Sequence, residues 1–418
     1  MPSQGATGVP RMHAIGGFVP VQDDGREGNR TLVQVMGAPF EGGPGRCKRC
    51  AASACVKNQG LRAALIDARG IFLPLLASSS VTDLFVVPAR LETGAIRDAI
   101  PPSVLRPFDP VPVPHRDGDD VILDFGPWTP RAPARHLLPS FAALVPRPPA
   151  VRFELSGRRG DAWSPWVTTV TLGDAAFSAL PAFADGITVD VDEITATPPL
   201  DAVRLRIRVQ RSDADALNVA PWLATMSAWD GSAPASGHDA GFAGQGATAR
   251  LRVPPRTQMN EPAAVRLHVC SPTSVGMALA FHGCDVPTMT LAEEIFHRET
   301  NRYGIWPAAV RAAAAHGVPG YLLRFPDWDT AAWCLSHGLP IVASIGYADG
   351  ELANAPVPQT TGHLIVITGL DGNDVLVNDP AAPTAAEVPR RYRRADMTRA
   401  WLERNGVGYV FLPRLEVR

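Results

Sequence analysis

The chain has 418 residues, more than a single core usually fills, so two or more domains are expected. A formal net charge of −2 gives no reason to expect nucleic acid or an anionic membrane surface as a partner. Proline (41) and glycine (37) are plentiful, which predicts long irregular connections, and six cysteines are few for a disulfide scaffold of this size.

Residues 1–60 are rich in Gly, Arg and Gln without sustained periodicity and read as a disordered tail. The tail holds CKRCAASAC, with Cys47, Cys50 and Cys55; no second pair follows to complete a zinc site, so no metal is expected. The start, MPSQGATGVPRMHAIGG, has no charged-then-apolar leader, and location, cytoplasmic or secreted, stays open. No apolar run reaches the ~18 residues that span a bilayer. Residues 61–118 are an uncertain segment: IFLPLLASSSVTDLFVVPA fits a strand or a short helix, and PPSVLRPFDPVPVPH (101–115) reads as an extended linker.

Between 119 and 231 six short β-like runs follow one another: DVILDFG, AVRFELSG, WVTTVTLG, GITVDVDEIT, AVRLRIRVQRS and WLATMSAWDG. That spacing predicts an antiparallel β-sandwich. In VRLRIRV, Val203, Leu205, Ile207 and Val209 take the core face and Arg204, Arg206 and Arg208 a wet one. The arginine stripe has two readings, a solvated face or a site for an acidic polymer. Trp163 and Trp166, beside turn residues, are either core caps or exposed sugar-binding aromatics. Residues 232–249, rich in Gly, Ala and Ser, read as a flexible linker.

From 250 to 418 helical patterns come first and strands later, which predicts a separate α+β domain. Its first helix opens at VCSPTSVGMALAFHG, with Ser271 as cap, Pro272 in the first turn, and a stop at His282-Gly283. Cys270 then sits at the helix mouth, where free N–H groups and the helix dipole favour a thiolate. Buried structural cysteines also occupy such places, so position alone leaves nucleophile and filler both open. A thiolate nucleophile needs a histidine and an orienting group. TGHLIVITGLDGNDVLVNDP offers both: Asp371-Gly372 signals a tight hairpin turn, which brings His363 within a residue or two of Asp379. Against this, Asn378-Asp379-Pro380 also reads as a plain turn. Gln258, twelve residues before Cys270, suits an oxyanion donor together with the Cys270 backbone N–H. His268, His282, Cys284, His297, His316, Cys334 and His337 have no partner pattern and read as surface or packing residues.

The ordered set VPPRTQ, CSPTSVGMAL, YGIWPAAVRAAAAHG, LPIVASI and TGHLIVITGLDGNDVLVNDP resembles the papain-fold bacterial cysteine peptidases of family thirty-nine, the bacteriocin-processing or double-glycine-leader type, and their stand-alone relatives. The resemblance covers about residues 250–412. It implies Cys270 as nucleophile, His363 as general base, Asp379 as its orienter and Gln258 as oxyanion donor, with no cofactor. One departure stands out: Cys270-Ser271-Pro272 replaces the family's usual Cys-Gly-Pro. The preceding β region loosely resembles the β-domain found before such peptidase domains. The membrane helices and ATPase of transporter-linked members are not found, so export-coupled cleavage is not expected.

The sequence therefore predicts a multidomain protein, an N-terminal β-sandwich followed by an α+β papain-like cysteine peptidase domain, that cleaves peptide or protein substrates through a Cys-His-Asp triad. The alternatives are an amidase or acyltransferase with the same triad, or an inactive protein that binds a cell-surface polymer through the sandwich.

Overall fold

A computed structural model describes residues 80–232 and 250–413. The cysteine cluster at 47–55, the tail 1–60 and nearly all of the 232–249 stretch lie outside the described residues.

The first stretch contains β1 (Thr82–Ala89), α1 (Thr93–Asp98), β2 (His115–Asp117), β3 (Asp120–Trp128), β4 (Ala134–Ala143) and β5 (Val151–Arg159). It continues through β6 (Ala162–Trp163), β7 (Val167–Thr168), β8 (Phe183–Ala184), β9 (Ile187–Asp190), β10 (Glu193–Leu200), β11 (Ala202–Gln210), α2 (Arg211–Val219) and β12 (Trp222–Trp229). These strands form two antiparallel sheets, β1-β12-β4-β10-β9-β8 and β2-β3-β11-β5-β6, with β7 also on β5.

The β region begins earlier than 119, because β1 pairs with β12 along its whole length, from Thr82 opposite Trp229 to Ala89 opposite Trp222. The proline-dense 101–115 stretch is not a free linker over its first half. Val104 is buried, Leu84 N donates to Val104 O at 2.8 Å, and Trp128 Nε1 donates to Asp109 Oδ2 at 2.6 Å. Proline cannot donate to a ladder, so this segment follows β1 through its non-proline positions. Two β-like runs are also broken up. WVTTVTLG forms only the short β7, because the Thr168 and Thr169 hydroxyls bond to backbone groups that a longer ladder would use. GITVDVDEIT divides into β9 and β10 at a turn where Val191 has φ +59°.

On β11 the alternation holds: Val203, Leu205, Ile207 and Val209 are all buried. The arginine face is only partly wet, however: Arg204 and Arg206 are half-buried. Arg204 lies over the Trp163 ring at 3.9 Å and Arg206 over Trp166 at 3.9 Å. Arg208 is buried and bonds to Glu154 (2.6 Å), Asp120 (2.9 Å) and Asp117 (2.8 Å). Arginines and tryptophans thus have partners in each other and in acidic side chains, and neither feature supports the polymer-binding reading.

The second stretch contains α3 (Cys270–Phe281), α4 (Thr288–Ile295), α5 (Trp306–Ala315), β13 (Gly320–Arg324), α6 (Trp328–Ser336) and β14 (Ile341–Tyr347). There follow β15 (Thr360–Asp371), β16 (Asp374–Asn378), β17 (Pro389–Arg393), α7 (Arg394–Met397) and β18 (Val407–Phe411). Six strands form one antiparallel sheet in the order β13-β18-β14-β15-β16-β17. The content is mixed α/β, as expected. β17 was not anticipated: PRRYR has too few apolar residues to read as a strand, and it forms at the sheet edge, where charged side chains are usual.

Both stretches belong to one compact unit, and their buried apolar residues form one continuous cluster rather than two separate cores. Polar contacts reinforce the join. Tyr321 Oη donates to Ala99 O at 2.8 Å, Arg324 N donates to Ser227 Oγ at 3.1 Å, and the Arg324 guanidinium lies over Trp229 at 3.7 Å. Among the described residues no helix is long and apolar enough to cross a membrane.

Glu154 is the shared acceptor for two buried guanidinium groups, those of Arg152 and Arg208. Removing one partner of a buried pair leaves an uncompensated charge, so Glu154→Ala should lower unfolding stability by about 3 kcal/mol or more in a denaturant titration.

Candidate functional site

Helix α3 has no solvent face over its first turns: Ser271 to Leu279 are all buried. Its small residues permit that fit. At Gly276 a Cβ would come within 2.5 Å of Arg256 Nη1, and that guanidinium bonds Val286 O and pairs with Asp285. The helix begins two residues earlier than expected. Cys270 is its first residue, Val269 is the N-cap, and Ser271 is buried under the helix instead of capping it. Pro272 falls in the first turn, where its missing N–H costs nothing, and Gly283 after the helix has φ +79°, a left-handed value that favours glycine.

The placement of Cys270 follows from how α3 lies on the sheet. Ser274 Oγ, one turn into the helix, donates to Leu364 O at 2.9 Å. Leu364 follows His363 on β15, so this bond holds the start of α3 beside the histidine. The Cys270 thiol lies against the His363 side chain, with the backbone at Leu364 and Ser271 also close. Cys270 is partly exposed, whereas His363 and Asp379 are buried.

β15 and β16 are joined by the turn foreseen in the sequence, with Asp371 opposite Asp374 and Gly372 at φ +55°. A bulge between Ile367 and Gly369 shifts the register by one and sets Asn378 opposite Val366. Asp379 then leaves the ladder and reaches His363, with Nε2 to Oδ1 at 2.8 Å. The Asn-Asp-Pro segment is also a turn, since Ala381 N donates to Asp379 Oδ1 at 3.0 Å. The Asp379 carboxyl thus both reaches His363 and closes the turn. Its other oxygen, Oδ2, accepts from Tyr392 Oη at 2.7 Å.

The electrostatics follow from this geometry. Burial pushes the Cys270 thiol up, but its hydrogen bond to His363 and the imidazolium charge outweigh that and leave it below the usual thiol range. Burial alone would lower the His363 imidazole, and the Asp379 carboxylate, with help from Cys270, raises it well above its ordinary value. Burial raises the Asp379 carboxyl, but His363, Tyr392 and the Ala381 N–H together hold it below the usual carboxylate range. A thiol held below its usual range beside a raised imidazole and a lowered carboxyl is the electrostatic pattern that favours a sulfur nucleophile.

Gln258 occupies a short 3-10 turn, Gln258–Asn260, whose start is held against the turn after Asp379: Gln258 N donates to Pro380 O at 2.9 Å. Its side chain is buried, and Nε2 donates to Arg266 O at 2.6 Å, in the segment leading into Cys270. Gln258 is therefore joined to both the Asp379 turn and the approach to Cys270. Sequence reasoning missed Tyr392, since a tyrosine among arginines on an edge strand carries no catalytic pattern. Four of the remaining candidates have structural partners. His297 lies between Thr300 and Thr171, His316 bonds Glu294, His337 stacks on Trp333 at 3.8 Å, and Cys284 contacts His316 O. Burial raises the Cys334 thiol far above its ordinary value and lowers the His282 imidazole to about 4. No group of three or more His, Cys, Asp or Glu among the described residues is arranged to hold a metal.

Residues 250–409 match the family model described as "Peptidase_C39 like family". Among solved structures, a protein described as a C39-like peptidase from Bacillus anthracis aligns at 18% identity, covering 41% of this chain and 100% of that one, with a TM-score of 0.33. The peptidase domain of Streptococcus ComA, described as a bifunctional ABC transporter involved in quorum sensing, aligns at 16% identity over 35% of this chain and 93% of that one, with a TM-score of 0.25. Scores this low establish no shared fold. No curated protein matches the chain.

Tyr392→Phe removes one of the donors that keep Asp379 ionised, so the imidazolium loses support and the thiol moves back toward its ordinary value. Alkylation of Cys270 by iodoacetamide at mildly acidic pH should slow about tenfold, the equivalent of one pKa unit.

Proposed function

We propose that the region matching the Peptidase_C39-like family, residues 250–409, hydrolyses peptide bonds with Cys270 as nucleophile. The observation that carries this reading is the line of partners from Cys270 through His363 to the buried Asp379. Nε2 of His363 is taken by Asp379, so Nδ1 is the nitrogen that serves the thiol.

The Cys270 sulfur attacks the scissile carbonyl carbon, and the carbonyl π electrons move to oxygen. The backbone N–H of Cys270, the first of α3 and without an intrahelical acceptor, is one donor for that oxyanion. Gln258 supplies the second: Nε2 carries two hydrogens, and one is used on Arg266 O. His363 gives its proton to the leaving amine as the carbon–nitrogen bond breaks, leaving a thioester. It then takes a proton from water, whose oxygen displaces the sulfur and releases the acid. Asp379 holds the ring and stabilises its cation throughout.

The two sheets of residues 80–232 we read as a sandwich, and the C-terminal part as papain-like. Support for the sandwich comes from contacts between the sheets: Phe85 stacks on Trp128 at 5.1 Å, Phe125 meets Trp222 edge-on at 6.2 Å, and Leu200 packs on Gly157.

Cys270→Ala and His363→Ala should each lower kcat by about 10³-fold or more, and Asp379→Asn by less, in a peptide-library digest read by mass spectrometry. No difference between wild type and Cys270→Ala would remove the peptidase reading. The pH profile of kcat/KM should be bell-shaped. Its acid limb, from protonation of the thiolate, lies below the ordinary thiol value of about 8.5, and its alkaline limb, from loss of the imidazolium, lies above the ordinary imidazole value of about 6.5. Stability follows the same signs. The raised His363 contributes stability that is complete below about pH 6.5 and fades as pH rises through its folded value. The lowered Asp379 contributes above about pH 3.9 and fades as pH falls through its folded value, both measurable by denaturation across pH.

A further inference from the structure

The chain between Gln258 and Cys270 forms a turn that is fastened at several points. Val265 N and Arg266 N donate to Pro262 O at 2.9 and 3.0 Å, and His268 N donates to Val265 O at 2.7 Å. Gln258 Nε2 donates to Arg266 O at 2.6 Å, and Gln258 N donates to Pro380 O, beside Asp379, at 2.9 Å. Val269, which closes the turn and caps α3, is fully buried. A backbone bonded in this way presents its side chains in fixed positions before a substrate arrives, so little ordering cost falls on binding.

Leu267 lies on this frame and is 68% exposed; among the described residues from 250 onward it is the only large apolar side chain exposed to this degree. Its neighbours Arg266 and His268 are exposed and polar, so the apolar surface here is one side chain wide. A single exposed leucine on a remote surface needs no explanation. Leu267 is not remote, because three residues of chain span at most about 11 Å to Cys270. An extended peptide advances about 3.3 Å per residue, so Leu267 is within reach of substrate side chains two or three positions from the bond under attack. The other approach to the sulfur differs. Thr361 and Gly362, which lead into His363, are exposed, and a Cβ at Gly362 would meet open space. Neither offers a large apolar contact.

We propose that Leu267 determines specificity: it packs against one large apolar side chain of the peptide, two or three residues from the bond that Cys270 attacks. The substrates are then peptides with Leu, Ile, Val, Met or Phe at that single position. The inference rests on the reading of Cys270 as the nucleophile and deepens it. Leu267 takes no part in proton transfer. Its contact is made equally before and during the chemical step, so it acts on KM and leaves kcat nearly unchanged.

The test digests a peptide library with the full chain, aligns the cleavage sites by mass spectrometry, and measures KM and kcat on a peptide chosen from the preferred set. Wild type should show a large apolar residue enriched at one position within three of the scissile bond. Leu267→Ser should abolish that enrichment and raise KM on the chosen peptide about tenfold with little change in kcat. Leu267→Met, which keeps the apolar volume, should restore both. The pH profile of Cys270 alkylation by iodoacetamide checks that the turn is intact, since a collapsed turn would alter it and lower kcat as well. Cleavage sites without an apolar preference within three residues, or a preference that survives in Leu267→Ser, would overturn the proposal. Equal digestion by wild type and Cys270→Ala is a separate result: it would defeat the peptidase reading itself and this proposal with it.

Discussion

A fully buried carboxylate is the constraint around which the C-terminal half is arranged. Asp379 is removed from water, and such a charge persists only where hydrogen bonds and an opposite charge replace the lost solvation. His363 Nε2, Tyr392 Oη and Ala381 N supply that replacement from β15, β17 and the Asp379 turn itself. Each of these depends on a feature of the sheet: the bulge in β15 sets where the hairpin ends, and the edge strand β17 brings the phenol over the carboxylate. Ser274 then joins α3 to the same strand that carries the histidine. The low thiol value at Cys270 is the last term in this sequence of dependences.

The site was more legible in the sequence than the fold around it. Cys270, His363 and Asp379 were visible because each sits at a local signal, a helix mouth, a strand start after a glycine, and a turn that closes a hairpin. Those signals depend on neighbours a few residues away, which one unaligned chain displays. Tyr392 was not visible because what matters about it is which strand lies opposite. β1 was ambiguous for the same reason, since its partner β12 begins more than 130 residues later. The arginine face of β11 is less exposed than a solvated-face reading implies, because alternation reports which side faces the core and says nothing of what partly covers the other side. A tryptophan hairpin and three carboxylates cover it here.

The two halves meet through more than apolar packing. Arg324 enters the join with its guanidinium over Trp229 and bonded to Phe325 O and Leu402 O, and Arg311 donates to the carbonyls of Pro148 and Pro149. Burial lowers the Arg324 guanidinium to about 10, which still leaves it charged at neutral pH. Planar, multiply donating cations of this kind hold two backbones in a fixed relation, where an apolar contact alone would let them slide.

Helix α3 is buried on nearly every side and is built from residues such as Ser, Thr, Val and Gly that are poor helix formers in water. Isolated from the sheet it has little reason to be helical, so its dipole and free N–H groups come into being together with the tertiary structure. The unfolded chain carries Cys270 as an ordinary thiol, mostly protonated at neutral pH. The lowered thiol value is therefore an emergent property of the finished molecule: a chain still being synthesised, or one that has lost its packing, carries an ordinary thiol at this sulfur.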